Sequence, residues 1–66
     1  MYITVNGQAL EIEPGQTLHE LILSMNLDPS VVVAELNHGI VPGDTFVSTS
    51  LSAGDRLELL SFVGGG

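Results

Sequence analysis

Apolar and polar residues alternate in two short stretches at the start of the chain. The apolar positions are Ile3, Val5, Leu10 and Ile12. This alternation is typical of half-buried strands. Asn6-Gly7 separates the two stretches, and it favours a type I′ turn because that turn needs positive φ at both central positions. The pattern therefore predicts a β-hairpin over residues 2–13.

The next segment has the signals of a short amphipathic helix. Thr17 and Glu20 are spaced as a capping box, in which each side chain bonds the backbone N–H of the other. Asn26 is a candidate helix end, and Asp28-Pro29 prevents continuation because a residue before proline avoids the helical region. The apolar residues follow at i, i+3, i+4 and i+7 as one stripe: Leu18, Leu21, Ile22 and Met25.

The second half of the chain predicts three further extended segments. Residues 31–36 are β-branched and apolar, which indicates a buried strand. Turns are predicted at residues 37–39 and 53–55, with a short strand at Ile40-Val41 and a last strand over residues 56–63. The intervening residues 44–53 are polar and irregular, with three apolar residues expected to fix them to the core: Phe46, Val47 and Leu51.

These elements predict an α+β fold. One apolar stripe on a helix and one apolar face on a sheet must pack on each other. We expect a mixed sheet of four to five strands packed on one helix, with the first and last strands as parallel neighbours in the middle. That arrangement is the β-grasp, or ubiquitin-like, fold.

Length and composition are consistent with one small domain. The chain has 66 residues, of which 44% are hydrophobic and 14% charged, and it has no cysteine. Disulfides and thiolate metal ligands are therefore excluded, and the core must be well packed to hold so small a domain. We expect a folded domain over residues 1–63 and a flexible tail over residues 64–66.

The charge excludes several classes of partner. The net charge is −7 and Arg56 is the one basic residue among Lys and Arg. Nucleic acids and anionic membranes are bound through Lys and Arg, so neither is an expected partner. The expected partner is a protein with a basic surface. No signal peptide and no membrane span are predicted. We expect a cytoplasmic protein.

The last residues are the candidate site. Gly64, Gly65 and Gly66 follow the last predicted strand, and glycines form a thin, flexible tail that fits a slot closed to larger residues. The α-carboxylate of Gly66 is ionised at neutral pH and is a nucleophile toward an activated phosphate. Chain ends are also often glycine-rich without any function, so the tail alone leaves both interpretations open.

Few other side chains suggest chemistry. His19 and His38 lack cysteine or suitably spaced carboxylate neighbours, so we expect solvated histidines and no metal site. The eight carboxylates are dispersed and predict a solvated surface. By alternation, Leu60 and Phe62 lie on the face opposite Leu57 and Leu59. We expect them to form an apolar partner surface beside the tail, with Tyr2 and one of the valines at 31–33.

The chain resembles the ThiS family of sulfur carriers of thiamine biosynthesis along its whole length. The matching features are residues 1–7 (MYITVNG), residues 15–21 (GQTLHEL), Asn37, residues 40–42 (IVP), Gly54-Asp55 and the terminal Gly65-Gly66. Gly43 departs from the family pattern, in which a basic residue often follows the proline. Any charged partner contact at that position is therefore in doubt.

The resemblance implies a carrier rather than an enzyme, with no cofactor bound by this chain. An E1-like adenylyltransferase (ThiF-like) would use ATP and Mg²⁺ to adenylate Gly66. A sulfur donor such as a cysteine desulfurase would then supply sulfur indirectly, leaving a thiocarboxylate. Thiazole synthase (ThiG-like) would receive that sulfur. Gly64 and Gly65 would enter the partner's active site, where near-attack distances leave no room for a Cβ.

Three alternatives remain open at this point. A carrier of molybdopterin synthesis shares the fold and the tail, but is usually longer. A ubiquitin-like modifier would deliver the tail to a lysine of another protein; the chain itself has none. A passive binding module would have a tail without chemistry.

Overall fold

Five strands, one α-helix and two 3₁₀ helices make up the part of the chain that the structure describes. The structure is a computed structural model and describes residues 1–62. The strands are β1 (Tyr2–Val5), β2 (Gln8–Glu11), β3 (Val32–Leu36), β4 (Gly39–Val41) and β5 (Arg56–Ser61). Helix α1 covers Leu18–Ser24, and the 3₁₀ helices cover Pro29–Val31 and Gly43–Ser48.

The N-terminal hairpin forms as predicted. β1 and β2 are antiparallel, and Val5 pairs with Gln8 across a two-residue turn. Asn6 and Gly7 have φ of 49° and 84°, which is the positive φ that a type I′ turn needs at both positions. Ile3 and Val5 are buried, whereas Tyr2 is exposed. The hairpin therefore turns its apolar side toward the core.

The sheet has the predicted mixed topology. Its strand order is β2-β1-β5-β3-β4. β1 and β5 are parallel neighbours, whereas β3 pairs antiparallel with both β4 and β5. α1 follows the hairpin in the chain, and its buried face belongs to the same core as the sheet. The α+β, β-grasp prediction is confirmed.

Helix α1 begins at the predicted capping box. The Thr17 backbone N–H donates to Glu20 Oε1 at 2.9 Å, and the Glu20 N–H donates to Thr17 Oγ1 at 3.1 Å. The first of these bonds, supported by the Thr17 hydroxyl, holds the pKa of the Glu20 carboxyl below its usual value. Both partners belong to the first turn, so the sequence alone locates the start of the helix.

Helix α1 ends at Ser24, one residue before the last position of the apolar stripe. Asn26, with φ of 60°, and Leu27 donate backbone N–H groups to the carbonyls of Leu23 and Ile22. These two bonds form a Schellman motif, which closes the helix before the predicted stripe is complete. Met25 lies beyond the last helical residue and is 38% exposed. Its prediction as a core residue is wrong.

The core lies between α1, the 3₁₀ helix Gly43–Ser48 and one face of the sheet. Phe46 and Leu51 are buried in it, as expected. Val47 is 61% exposed, so its predicted core role is wrong, because adjacent residues of this 3₁₀ helix point in different directions. The buried residues from α1 and the sheet are Ile3, Val5, Leu18, Leu21, Ile22, Val32, Ala34 and Leu57.

The strand predicted at residues 31–36 is shorter than expected and buried on one face only. Val31 belongs to the 3₁₀ helix Pro29–Val31. Val32 and Ala34 are buried, whereas Val33 is 43% exposed. Among residues 1–62 a single α-helix covers the sheet, so side chains on the other face have no layer above them. The predicted buried strand is therefore buried on one face only, and Val33 is the valine that lies on the exposed face.

Asn37 connects the β3–β4 turn to the start of β5. Asn37 and His38 form the turn, with φ of 50° and 73°. The Asn37 side chain accepts a hydrogen bond from the Arg56 N–H at 2.9 Å and donates one to Asp55 Oδ1 at 3.0 Å. The other Asp55 carboxylate oxygen accepts from the Ser52 N–H at 2.7 Å. These bonds fix where β5 begins.

Candidate functional site

The C-terminal end of β5 carries two of the predicted site residues. Leu57 is buried and Leu59 half-buried, whereas Leu60 and Phe62 are 58% and 55% exposed. The Phe62 N–H donates to the Val31 carbonyl at 2.8 Å, one residue beyond the last strand position. The sheet therefore holds the chain as far as Phe62, and both predicted side chains are accessible.

Two apolar side chains of neighbouring strands lie beside Leu60. Val33 on β3 is directly opposite Leu60 in the register. Ile40 on β4 is 65% exposed. Val33, Ile40 and Leu60 line one shallow depression on the outer face of the sheet. We call Val33, Ile40, Leu60 and Phe62 the outer patch.

Tyr2 does not belong to the outer patch. It is 62% exposed. However, Thr4 pairs with Arg56 in the parallel register, and the Gly54 N–H donates to the Tyr2 carbonyl. Phe62 lies eight residues after Gly54 in the chain, or about 26 Å along a strand. The predicted grouping of Tyr2 with Leu60 and Phe62 is wrong because β1 runs beside only the first part of β5.

The Asn6 side chain was missed as a part of the site. β1 ends at Val5. Beyond that point the Asn6 side-chain amide makes hydrogen bonds to β5 that a longer β1 would make with its backbone. Its Oδ1 accepts from the Leu59 N–H at 2.8 Å, and its Nδ2 donates to the Leu59 carbonyl at 3.2 Å. This pair of bonds holds the Leu59 backbone between the exposed residues Glu58 and Leu60. From the sequence, Asn6 was identifiable only as a turn residue.

Two carboxylates adjoin the outer patch. Glu35 on β3 is directly opposite Glu58 on β5, and Ile40 is opposite Glu35 on its other side. All three residues line the depression, together with Val33 and Leu60. The dispersed distribution of acidic residues along the sequence gave no sign of this pairing, since it depends on the register of β3 with β5.

The predicted tail residues Gly64, Gly65 and Gly66 lie outside the described residues, as does Val63. Phe62 is the last residue described, and four residues separate it from Gly66. A chain of four residues spans at most about 14 Å. Any group that reacts with the Gly66 carboxylate must therefore come close to this end of the sheet.

The remaining candidates show no further site within residues 1–62. His19 lies on α1 and His38 in the β3–β4 turn. No group of three potential metal-ligating side chains occurs in that part of the chain. No helix there has the length and apolar character that crossing a membrane would require. At Gly43, an added Cβ would meet no atom within 4 Å, so the position has room for a side chain.

Comparison with known proteins decides the family. The model of the ThiS family matches residues 3–66 of the chain. This chain belongs to the ThiS family. The sulfur carrier protein ThiS of Escherichia coli is 30% identical to it over 66 residues, covering all of both chains.

A solved structure and a longer relative extend the comparison. The ThiS thiamine biosynthesis protein of Geobacter metallireducens has 30% sequence identity and a TM-score of 0.84, again over all of both chains. The thiazole synthase of Paramagnetospirillum magneticum is 30% identical over 66 residues. The chain spans about a fifth of the length of the curated thiazole synthases that it matches.

Proposed function

We propose that this chain carries sulfur for thiamine biosynthesis as a thiocarboxylate on Gly66. The observation that carries the proposal is the full-length match to the sulfur carrier ThiS of Escherichia coli, which has 66 aligned residues. The geometry agrees with a carrier. The pairing of β5 in the sheet and the two hydrogen bonds from the Asn6 side chain to the Leu59 backbone fix the chain close to its C-terminal end. Within this proposal, residues 1–63 are the folded domain and residues 64–66 the tail.

The first step is adenylation of Gly66 by an E1-like adenylyltransferase of the ThiF type. The Gly66 carboxylate attacks the α-phosphorus of ATP, and pyrophosphate leaves with Mg²⁺ assistance from the enzyme. The product is an acyl-adenylate, a covalent activation that makes the later substitution easier. ATP and Mg²⁺ bind the enzyme, and this chain is its cosubstrate.

The second step replaces AMP by sulfur. Sulfide attacks the acyl carbon of the adenylate and AMP leaves, which gives a thiocarboxylate on Gly66. Where a cysteine desulfurase supplies the sulfur as a persulfide, the same attack forms an acyl disulfide, and a thiol then reduces it and releases the thiocarboxylate. A thiazole synthase of the ThiG type then takes the sulfur. The names of the two longer relatives support this partner, since a segment like this chain occurs within proteins called thiazole synthase.

The glycines allow the tail to reach the reacting atoms. Near-attack geometry requires distances of roughly 3–3.5 Å between the carboxylate and phosphorus. A side chain at residue 65 would collide with the walls of the partner's channel.

The thiamine pathway is favoured over the molybdopterin alternative because the family model and the structural relative are both of the thiamine carrier. We place the reaction in the cytoplasm.

The test is a mass measurement after activation. The protein is incubated with ThiF from the same organism, Mg²⁺-ATP and sulfide. Replacement of one oxygen by sulfur should add about 16 Da. Omission of ATP is the control, and it should leave the mass unchanged. An unchanged mass in the complete reaction would contradict the carrier function.

The variant Gly65→Val separates the chemistry from folding. It should abolish both the mass change and ATP–pyrophosphate exchange, because a branched side chain blocks entry of the tail. Its thermal unfolding midpoint should match that of the unmodified sequence. A loss of folding would mean that residue 65 has a structural role instead.

A further inference from the structure

The Asn6 side chain makes two hydrogen bonds that hold the backbone near the end of β5. Its Oδ1 accepts from the Leu59 N–H at 2.8 Å, and its Nδ2 donates to the Leu59 carbonyl at 3.2 Å. We call these two bonds the Asn6 clamp. The clamp needs one accepting atom and one donating atom on the same side chain, which a carboxamide provides. It therefore depends on the chemical integrity of the Asn6 amide.

The residue after Asn6 makes that amide labile. Asparagine is a thermolabile residue, and the Gly7 nitrogen that follows it has no neighbouring Cβ to hinder attack on Asn6 Cγ. In this attack the nitrogen gives its proton to water or hydroxide, an N–Cγ bond forms, and the Cγ–Nδ2 bond breaks with release of ammonia. Water then opens the cyclic succinimide at either carbonyl, which leaves aspartate or isoaspartate at position 6.

The folded chain leaves this site open to solvent but hinders the reaction. Asn6 and Gly7 are exposed, so water and hydroxide reach them. However, the clamp fixes the carboxamide against Leu59, and the turn fixes the backbone, with φ of 49° at Asn6 and 84° at Gly7. Ring closure requires the carboxamide to leave Leu59 and rotate toward the Gly7 nitrogen. Local opening of the clamp therefore controls the reaction.

The product of the reaction cannot restore the clamp at neutral pH. A carboxylate accepts hydrogen bonds but donates none, so the Leu59 carbonyl would lose its donor and face a negatively charged oxygen. Isoaspartate also lengthens the backbone of the turn between β1 and β2. Either product releases the Leu59 backbone, three residues before Phe62. Deamidation thus acts on the strand that leads to the C-terminal residues.

We propose that Asn6 is a spontaneous deamidation site that the clamp protects in the folded chain. Opening of the clamp allows the reaction, and the reaction then prevents the clamp from closing again. A momentary local opening is thereby converted into a permanent covalent change beside the end of β5. The inference is independent of the proposed function, because no partner takes part in the reaction.

The test measures deamidation at each asparagine separately. The protein is held in mildly alkaline buffer, with and without enough guanidinium chloride to unfold it, and is then digested at acidic pH with a protease that cuts after glutamate. Residues 1–11, 21–35 and 36–58 form separate peptides, which contain Asn6, Asn26 and Asn37 respectively. Mass spectrometry detects replacement of the amide by a carboxyl in each peptide.

The unfolded protein reports the intrinsic lability of each site. There, Asn6 should deamidate at least about tenfold faster than Asn26 or Asn37, because neither of these precedes glycine. In the folded protein, the reaction at Asn6 should be at least about tenfold slower than in the unfolded protein. Asn37 is the matched control. Its side chain also bonds the backbone of β5, but the residue that follows it is His38.

Hydrogen exchange identifies the opening that exposes Asn6. The Leu59 N–H is bonded to Asn6 Oδ1, so its exchange requires the same clamp to open. The factor by which folding slows deamidation should therefore equal the protection factor of this N–H within about fivefold.

The variant Asn6→Asp represents one product of the reaction. Protection of the Leu59 N–H should fall by at least about fivefold in this variant, because the clamp has lost its donor. The fall should be smaller below the pKa of the new carboxyl, ordinarily about 3.9 for aspartate, since a protonated carboxyl can donate again.

Each contrary result overturns a different part of the proposal. A rate at Asn6 no higher than at Asn26 and Asn37 in the unfolded protein would remove the site. Equal rates at Asn6 in folded and unfolded protein would mean that the clamp protects nothing. Slowing far beyond the Leu59 protection factor would assign the reaction to global unfolding. Unchanged Leu59 protection in Asn6→Asp would show that the product keeps the clamp. None of these results bears on thiocarboxylate formation at Gly66.

Discussion

At the scale of single residues, two asparagines fix the position of β5. Asn37 bonds the backbone of Arg56 at the start of the strand, and Asn6 bonds the backbone of Leu59 near its end. Both have positive φ, which asparagine tolerates better than most residues. Each therefore forms a turn and also reaches β5 with its side chain. The sequence indicated only the turns, because the partners lie 19 and 53 positions away in the chain.

The variant Asn6→Gly isolates the side-chain clamp. Glycine keeps the positive φ of the turn but removes both bonds to Leu59. We expect a loss of about 1–3 kcal/mol in the free energy of unfolding, measured with urea, since each of the two hydrogen bonds contributes about 0.5–1.5 kcal/mol net. Hydrogen exchange of the Leu59 N–H should accelerate by a larger factor than the measured loss in the free energy of unfolding predicts.

Asn26→Gly is the control for this prediction. Asn26 also has positive φ, at the end of α1 rather than beside β5. Its replacement should change stability by less than about 0.5 kcal/mol and leave exchange at Leu59 unaffected. Equal effects of the two variants on Leu59 would argue against the clamp.

At the scale of elements, α1 shows what local signals can and cannot specify. The capping box of Thr17 and Glu20 located its start correctly. The apolar spacing correctly assigned Leu18, Leu21 and Ile22 to the core, but it extended to Met25. The difference arises because Asn26 closes a Schellman motif, and periodicity alone does not indicate which apolar residue follows the last turn.

Leu21→Ala tests how far the domain depends on this helix. Leu21 is 2% exposed, and its truncation should cost about 2–5 kcal/mol. That is a large part of the stability of so small a domain. Leu23→Ala is the matched control on the same helix, where the side chain is 51% exposed. It should cost less than about 1 kcal/mol in the same urea titration. Similar losses would mean that the buried stripe is misplaced.

At the scale of the whole molecule, the sheet divides the chain into a packed face and an accessible face. α1 and the buried residues lie on one side, and the outer patch lies on the other. β5 is central in the sheet, so Phe62, the last residue described, follows a central strand rather than an edge strand. We therefore expect largely separate sets of side chains to determine stability and partner recognition.

Phe62→Asp tests this separation. Phe62 is 55% exposed, so the unfolding midpoint should change little. Binding to ThiF, measured by titration calorimetry, should weaken by roughly 2 kcal/mol or more if Phe62 is an aromatic anchor of the interface. Val47→Asp is the control, because Val47 is 61% exposed but lies in the 3₁₀ helix Gly43–Ser48 beside α1. It should leave binding unchanged. Unfolding caused by Phe62→Asp would assign this residue to the core edge instead.

The sequence by itself determined the elements whose signals are local. Turn chemistry at Asn6-Gly7, the capping box and the alternation along β1, β2 and β5 act over a few residues, so they were legible without the tertiary structure. The same local patterns predicted the facing of Leu60 and Phe62, and the order of elements was sufficient for the β-grasp topology.

Only the tertiary structure decided which distant residues meet. The parallel register of β1 with β5 separates Tyr2 from Leu60 and Phe62. The antiparallel register of β3 with β5 brings Val33 to Leu60 and Glu35 to Glu58. A shift of register by one residue moves a strand's side chains to the other face. Such pairings depend on how the whole core packs, and no local pattern in the chain encodes them.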